Sequence, residues 1–178
     1  HPISVEASFT RVLPESYPLA SRVVWEFPAR EGLPPVTVTW YDGGLKPSQP
    51  GELESGRSLP NQGNLYIGSE GKILGGTADG RIIPEERMKR YEAGLKNATP
   101  GLPARLIIPT EWLAACRGGA PASCNFDVGG LLTEIVLLGC IAIRCGKKLL
   151  WDAEQMRFTN DENANRYLRE EYRSGWSL

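Results

Sequence analysis

The chain has 178 residues, a length that suits one domain with a core of its own and no need of metal or disulfide staples. It is 41% hydrophobic and 23% charged, with a net charge of -1, so it is globular in composition and lacks the basic field that a nucleic acid or an anionic membrane would require of a partner. The longest uncharged apolar run, Ile135–Ile143, is short of the roughly 20 residues that span a bilayer.

In chain order, the first 75 residues read as strands. Ile3, Val5, Ala7 and Phe9 alternate with Ser4, Glu6, Ser8 and Thr10, the pattern of a strand rather than of a signal peptide. Val23, Trp25 and Phe27 alternate in the same way, and so do Val36, Val38 and Trp40. A period of two predicts strands with one face on a core and the other more polar, as in an antiparallel sheet. Residues 42 to 63 form a long loop rich in Gly, Pro and Ser. Leu65–Gly68 and Lys72–Leu74 flank Ser69 and Glu70 and predict a hairpin, and the stretch from Gly75 to Gly80 reads as flexible.

The second half reads as mostly helical. Pro84, Glu85 and Glu86 predict a helix start that runs to about Ala93 and stops at Gly94. Thr110–Cys116 predicts a short helix ended by Gly118 and Gly119. A third helix, about Gly130–Cys145, is apolar nearly all round and is expected to be the buried central helix, with Gly139 allowing a close backbone contact. Lys147–Asp152 predicts a strand, and Met156–Phe158 an extended segment. Thr159 and Glu162 have capping-box spacing for a last helix whose inward stripe is Ala164, Leu168 and Tyr172. Strands followed by helices predict an α+β fold, an open antiparallel or mixed sheet with helices on one face.

Several chemistries find no support. The only histidine is His1, so a Ser-His-Asp or Cys-His unit has no internal base. Cys116, Cys124, Cys140 and Cys145 contain no C-x-x-C pair. Cys140 and Cys145 would point about 140° apart on a helix, so the cysteines read as buried free thiols, with a Cys116–Cys124 disulfide as the alternative. There is no G-x-G-x-x-G after a strand, no P-loop and no nucleophile elbow. A hydrolase using Asp42 and Glu52 would need paired carboxylates across a cleft, which nothing here indicates.

The stretches Tyr17-Pro-Leu-Ala-Ser21, Val38-Thr-Trp-Tyr-Asp-Gly-Gly44, Ile67-Gly-Ser-Glu-Gly-Lys-Ile73 and Glu111-Trp-Leu-Ala-Ala-Cys116 resemble the Gfo/Idh/MocA family of NAD(P)-dependent oxidoreductases, in the branch common in planctomycetes and Bacteroidetes. Ser123-Cys-Asn-Phe-Asp127, Leu132-Thr-Glu134, Lys147-Lys-Leu-Leu-Trp-Asp152 and Arg169-Glu-Glu-Tyr-Arg173 continue the resemblance in the family's order. It implies that residues 1–178 form a single C-terminal domain for substrate binding and oligomerisation. The N-terminal Rossmann half, with its glycine-rich loop and catalytic lysine, would lie outside this sequence. The implied reaction is hydride transfer between NAD or NADP and a sugar or polyol hydroxyl. Neither catalytic nor cofactor-binding residues are expected in this chain, which alone should be inactive and bind no NAD. The implied partners are the substrate, the Rossmann domain and a second copy docked through the sheet face. The alternative is a stand-alone sugar-binding or structural module. A cytoplasmic and a periplasmic home both stay open.

Candidate pocket residues follow from side-chain chemistry. Trp40 and Tyr41 could stack on a sugar ring and Asp42 could accept hydroxyl hydrogen bonds; equally, they could be strand-end core residues and a turn. Asn125, Phe126 and Asp127 could reach a ligand, or Asn125 or Asp127 could cap a helix. Arg81 could bind an anion or be a solvated charge. Trp25, Trp112 and Trp151 read as core, and Trp176 as a tail anchor or partner contact.

Overall fold

The alternating apolar residues of the first strands meet one another across an antiparallel ladder. The computed structural model describes residues 1–76, 80–95, 108–169 and 172–176. Strands β1 (Ser4–Phe9), β2 (Ser21–Phe27) and β3 (Val36–Tyr41) pair in sequence order, with Val5 opposite Trp25, Ala7 opposite Val23, and Trp25 opposite Val38. Strand β4 (Asn64–Ile67) pairs with β5 (Lys72–Gly75), and β5 with β6 (Gly80–Ile83). Helix α1 is Glu85–Leu95, α2 is Ile108–Cys116 and α3 is Phe126–Cys145. Strand β7 (Leu149–Asp152), strand β8 (Arg157–Phe158) and the short helix α4 (Glu162–Asn165) complete the chain. The sheets run β3-β2-β1-β7-β8 and β4-β5-β6, all antiparallel. This is the α+β class that strands followed by helices predict.

The chain divides into two compact units, His1–Leu45 with Leu106–Leu178, and Lys46–Arg105. The first holds the five-stranded sheet, whose core side meets α3. Val5, Val23 and Trp25 pack with Leu138, Ile141 and Ala142 of the helix and with Leu149, Trp151 and Phe158 of the chain that follows. Gly139 is where the helix comes closest, because a Cβ there would stand 2.5 Å from Cζ2 of Trp25. The second unit holds the smaller sheet and α1, over a small core of Leu53, Leu59 and Ile83.

Several expectations need correction. Helix α3 starts at Phe126, four residues before the predicted start, because Asn125 caps it. Only its C-terminal half is buried. Phe126, Val128, Leu132, Val136 and Leu137 are exposed. A 20-residue helix is about 30 Å long, whereas six- or seven-residue strands extend about 20–24 Å, so α3 outreaches the sheet beneath it. By length and composition α3 could also cross a bilayer, a property the run Ile135–Ile143 alone did not suggest. Packing on β1 and β2 accounts for the apolar side chains of its buried half.

The same geometry leaves Val36, Val38 and Trp40 exposed on β3, although their alternation predicted a core face. They share the face of Trp25, but the helix covers β1 and β2 instead. Ile3 precedes β1 and is exposed, and Trp112 is exposed on α2. Strand β6 occupies the end of the stretch read as flexible, and Gly94 lies inside α1 rather than stopping it.

The predicted last helix shrinks to one turn. Asp161, not Thr159, caps it, and Asn165 turns back to bond both the N–H and the C=O of Phe158. Of the expected inward stripe, Ala164 is buried, Leu168 packs at the core margin and Tyr172 is exposed, while Glu170 lies outside the described residues. All four cysteines are free, yet none is fully buried: Cys116 and Cys124 are exposed. Among the described residues no cluster of His, Cys, Asp and Glu could hold a metal.

Candidate functional site

Helix α3, strand β7 and the segment after β8 enclose a groove of about 630 Å³ in the first unit. Its floor is apolar, from Leu137, Leu138, Ile141 and Leu168. Aromatic faces come from Phe126, Trp151 and Tyr167, with Met156 beside them. One carboxylate, Glu134, stands in this lining. Its Oε1 accepts the indole N–H of Trp151 at 2.9 Å and contacts Nδ1 of His1 at the same distance. The side chain of Glu134 is only 15% exposed, and its other oxygen has no partner among the described residues. Such a groove offers apolar ring faces and one fixed anionic acceptor, a combination that suits a polyhydroxylated ligand.

The local sequence builds this site. Asn125 has an extended backbone, and its Oδ1 accepts the N–H groups of Asp127 and Val128 at 3.0 and 3.3 Å, which starts α3 there. Phe126, the first helical residue, is 95% exposed. Glu134 lies two turns further on, and Trp151 reaches it from β7 because the short link after Cys145 reverses the chain at Gly146, in the left-handed conformation.

The groove gathers only two of the predicted pocket residues, Asn125 and Phe126. Asp127 is exposed in the first helical turn, where an acid complements the helix dipole. Trp40 and Tyr41 end β3 on opposite faces. The Arg22 guanidinium lies 5.9 Å from the Tyr41 ring centre. Asp42 accepts the N–H of Ser21 at 2.6 Å and its hydroxyl at 3.0 Å, so the carboxylate ties the end of β3 to β2.

Arg81 belongs to the other unit. It donates two bonds to Glu54, at 2.8 and 2.9 Å, and Glu54 also accepts the backbone N–H of Glu85. The Arg81 bonds hold the Glu54 carboxyl down at about 2, against an ordinary value of 4.5. A group lowered by folding stabilises the fold above its unfolded value and stops doing so as the pH falls through the folded one. The Lys46–Arg105 unit should therefore lose stability as the pH drops from 4.5 to about 2. Thermal melts across that range should show the loss in the wild type and a smaller one in Glu54→Gln. Equal losses in both would contradict the assignment.

A smaller cavity of about 160 Å³ lies between the loop carrying Tyr17 and the α3 residues Cys140, Ile143 and Arg144. The Tyr17 hydroxyl donates to Cys140 Sγ at 3.6 Å, a bond that raises the tyrosine pKa.

The profile of an oxidoreductase family, C-terminal alpha/beta domain of the Gfo/Idh/MocA type, matches residues 85–178, just over half of the chain. The chain belongs to this Gfo/Idh/MocA family. The match contains α2, α3, β7 and β8, and so every groove residue named above. No curated protein matches the sequence. Members of the family generally bind a nicotinamide cofactor in an N-terminal domain, and membership implies a Rossmann domain and a substrate in the full enzyme. Such a cofactor needs a glycine-rich turn from a parallel strand into a helix. Among the described residues the sheets are antiparallel and no such turn occurs, so these elements do not fit the dinucleotide.

Proposed function

We propose that this chain is the substrate-side half of a nicotinamide-dependent oxidoreductase that acts on a hydroxyl of a sugar or polyol. The observation that carries the proposal is Glu134, held by Trp151 and His1 in an aromatic groove inside the family-matched segment. Phe126 and Trp151 would cover an apolar ring face, and the free oxygen of Glu134 would accept a hydroxyl hydrogen bond. Asn125 spends its side-chain oxygen on the helix cap and would offer its amide N–H groups. The cofactor and the proton-transfer group would come from a Rossmann domain, and self-association through the five-stranded sheet belongs to the same reading.

The test follows the indole N–H of Trp151 by NMR during titration with polyols and sugars. The expected result is a saturable shift of that signal with at least one of them, lost in Glu134→Ala. A Trp151 signal indifferent to every polyol and sugar would argue against the groove. A companion prediction concerns the cofactor. Titration calorimetry of this chain with NADH should show no binding, and micromolar affinity would overturn the division of labour.

A further inference from the structure

We infer that a second copy of this chain joins β3 edge to edge, extending the five-stranded sheet across a twofold axis. This rests on the proposal that the chain self-associates through its sheet, and it names the strand and the register. Strand β3 is the last strand of that sheet. The N–H of Asp42 bonds the C=O of Ser21, which continues the register set by Arg22 opposite Tyr41. Antiparallel pairs alternate between bonded and non-bonded positions. Val36, Val38 and Trp40 therefore direct their backbone groups inward to β2. Thr37, Thr39 and Tyr41 direct theirs to the free edge. Among the described residues none of these outward groups has a backbone partner.

Protein edges of this kind are normally blunted by charge, proline or a bulge. Strand β3 has none of these. Its six residues, VTVTWY, are uncharged, β-branched or aromatic, and in unbroken register with β2.

The strand also matches itself. Setting Thr39 opposite the second copy's Thr39 places Thr37 opposite the second copy's Tyr41, and the reverse. Every free edge group is then paired, in roughly six hydrogen bonds. The same register puts Val38 beside the second copy's Trp40 at the close, non-bonded positions, twice over. An aromatic against a β-branched residue is a favourable cross-strand pair. Val38 and Trp40 are 43% and 59% exposed on the face that α3 leaves bare, so the pairing joins two uncovered apolar stripes. The register that satisfies the backbone is also the one that matches these side chains. That agreement selects a second copy over an unrelated strand, and it gives the isologous contact of a twofold dimer.

The outer face of the sheet is a poorer candidate. Glu6 and Arg22 are exposed there, and the Glu26 carboxylate is taken by Lys148 and Ser4, which lower its pKa.

The experiment places single cysteines in a background where the exposed Cys116 and Cys124 are serine. Thr39→Cys should form a disulfide-linked dimer under mild oxidation, since bonded antiparallel pairs hold Cα atoms about 5.5 Å apart. Glu6→Cys, on the outer face of β1, should not. Val38→Glu, at an exposed position the fold can accommodate, should weaken the dimer at least about tenfold by sedimentation while the circular dichroism stays unchanged. If Glu6→Cys cross-links and Thr39→Cys does not, or Val38→Glu sediments as the wild-type dimer, the edge contact is wrong and self-association stands. A wild-type chain that is only monomer at tens of micromolar overturns both.

Discussion

Replacing Phe158 with alanine should destabilise the first unit by about 3–5 kcal/mol in urea unfolding. The ring is fully buried and lies 5.0 Å from that of Trp151, tilted at 60°. Its backbone is clamped on both sides by Asn165, with bonds of 2.7 and 3.1 Å, so the surrounding chain is poorly able to collapse into the gap. The cost should then sit toward the upper part of that range, because an unrelaxed cavity adds to the lost transfer energy. The consequence reaches the groove. Phe158 buttresses Trp151, whose indole N–H orients Glu134. A loss under about 1 kcal/mol would show that β8 is not core.

Leu138→Ala should cost about 2–5 kcal/mol. Leu138 is 2% exposed on α3, next to the Gly139 contact with Trp25. Its neighbour Leu137 has the same side chain but is 55% exposed, so Leu137→Ala should stay within roughly 0.5 kcal/mol. The contrast between the two substitutions tests whether α3 is buried on one side only. Equal costs would mean that the face bearing Leu137 is covered as well.

Much of the fold was legible from local pattern. Alternation located β1, β2 and β3, and the glycines around Ser69 and Glu70 located the β4–β5 hairpin. What alternation could not reveal was which apolar faces find a partner. Val36, Val38 and Trp40 carry the same pattern as Val23 and Trp25, but burial depends on where α3 lies, and that is a tertiary fact. The last helix misled for a local reason. The spacing of Thr159 and Glu162 fits a capping box, yet Asp161 competes for the same helix start and Asn165 turns back to the backbone of Phe158.

The site was half legible. Asn125 and Phe126 were visible as a candidate pair at a helix start, and both line the groove. Glu134 was passed over, although Leu132-Thr-Glu134 stood among the family-like stretches. Its partners are 17 and 133 residues away, and no local pattern links them. The available signal was a single acid in an otherwise apolar helix, which calls for a partner if it is buried. Arg81 drew attention as a free cation, whereas Glu54, 27 residues earlier, engages it.

The most direct test of a substrate role for the α3 groove is the kinetics of Glu134→Gln in the enzyme that carries this chain with its Rossmann domain. Glutamine keeps an oxygen for Trp151 and His1 and removes the charge from the oxygen offered to substrate. A hydrogen bond to a charged group contributes about 1.5–3 kcal/mol, so KM for the sugar or polyol should rise about 10- to 100-fold with NAD(P)H binding unchanged. An unchanged KM in a folded Glu134→Gln enzyme would contradict the account.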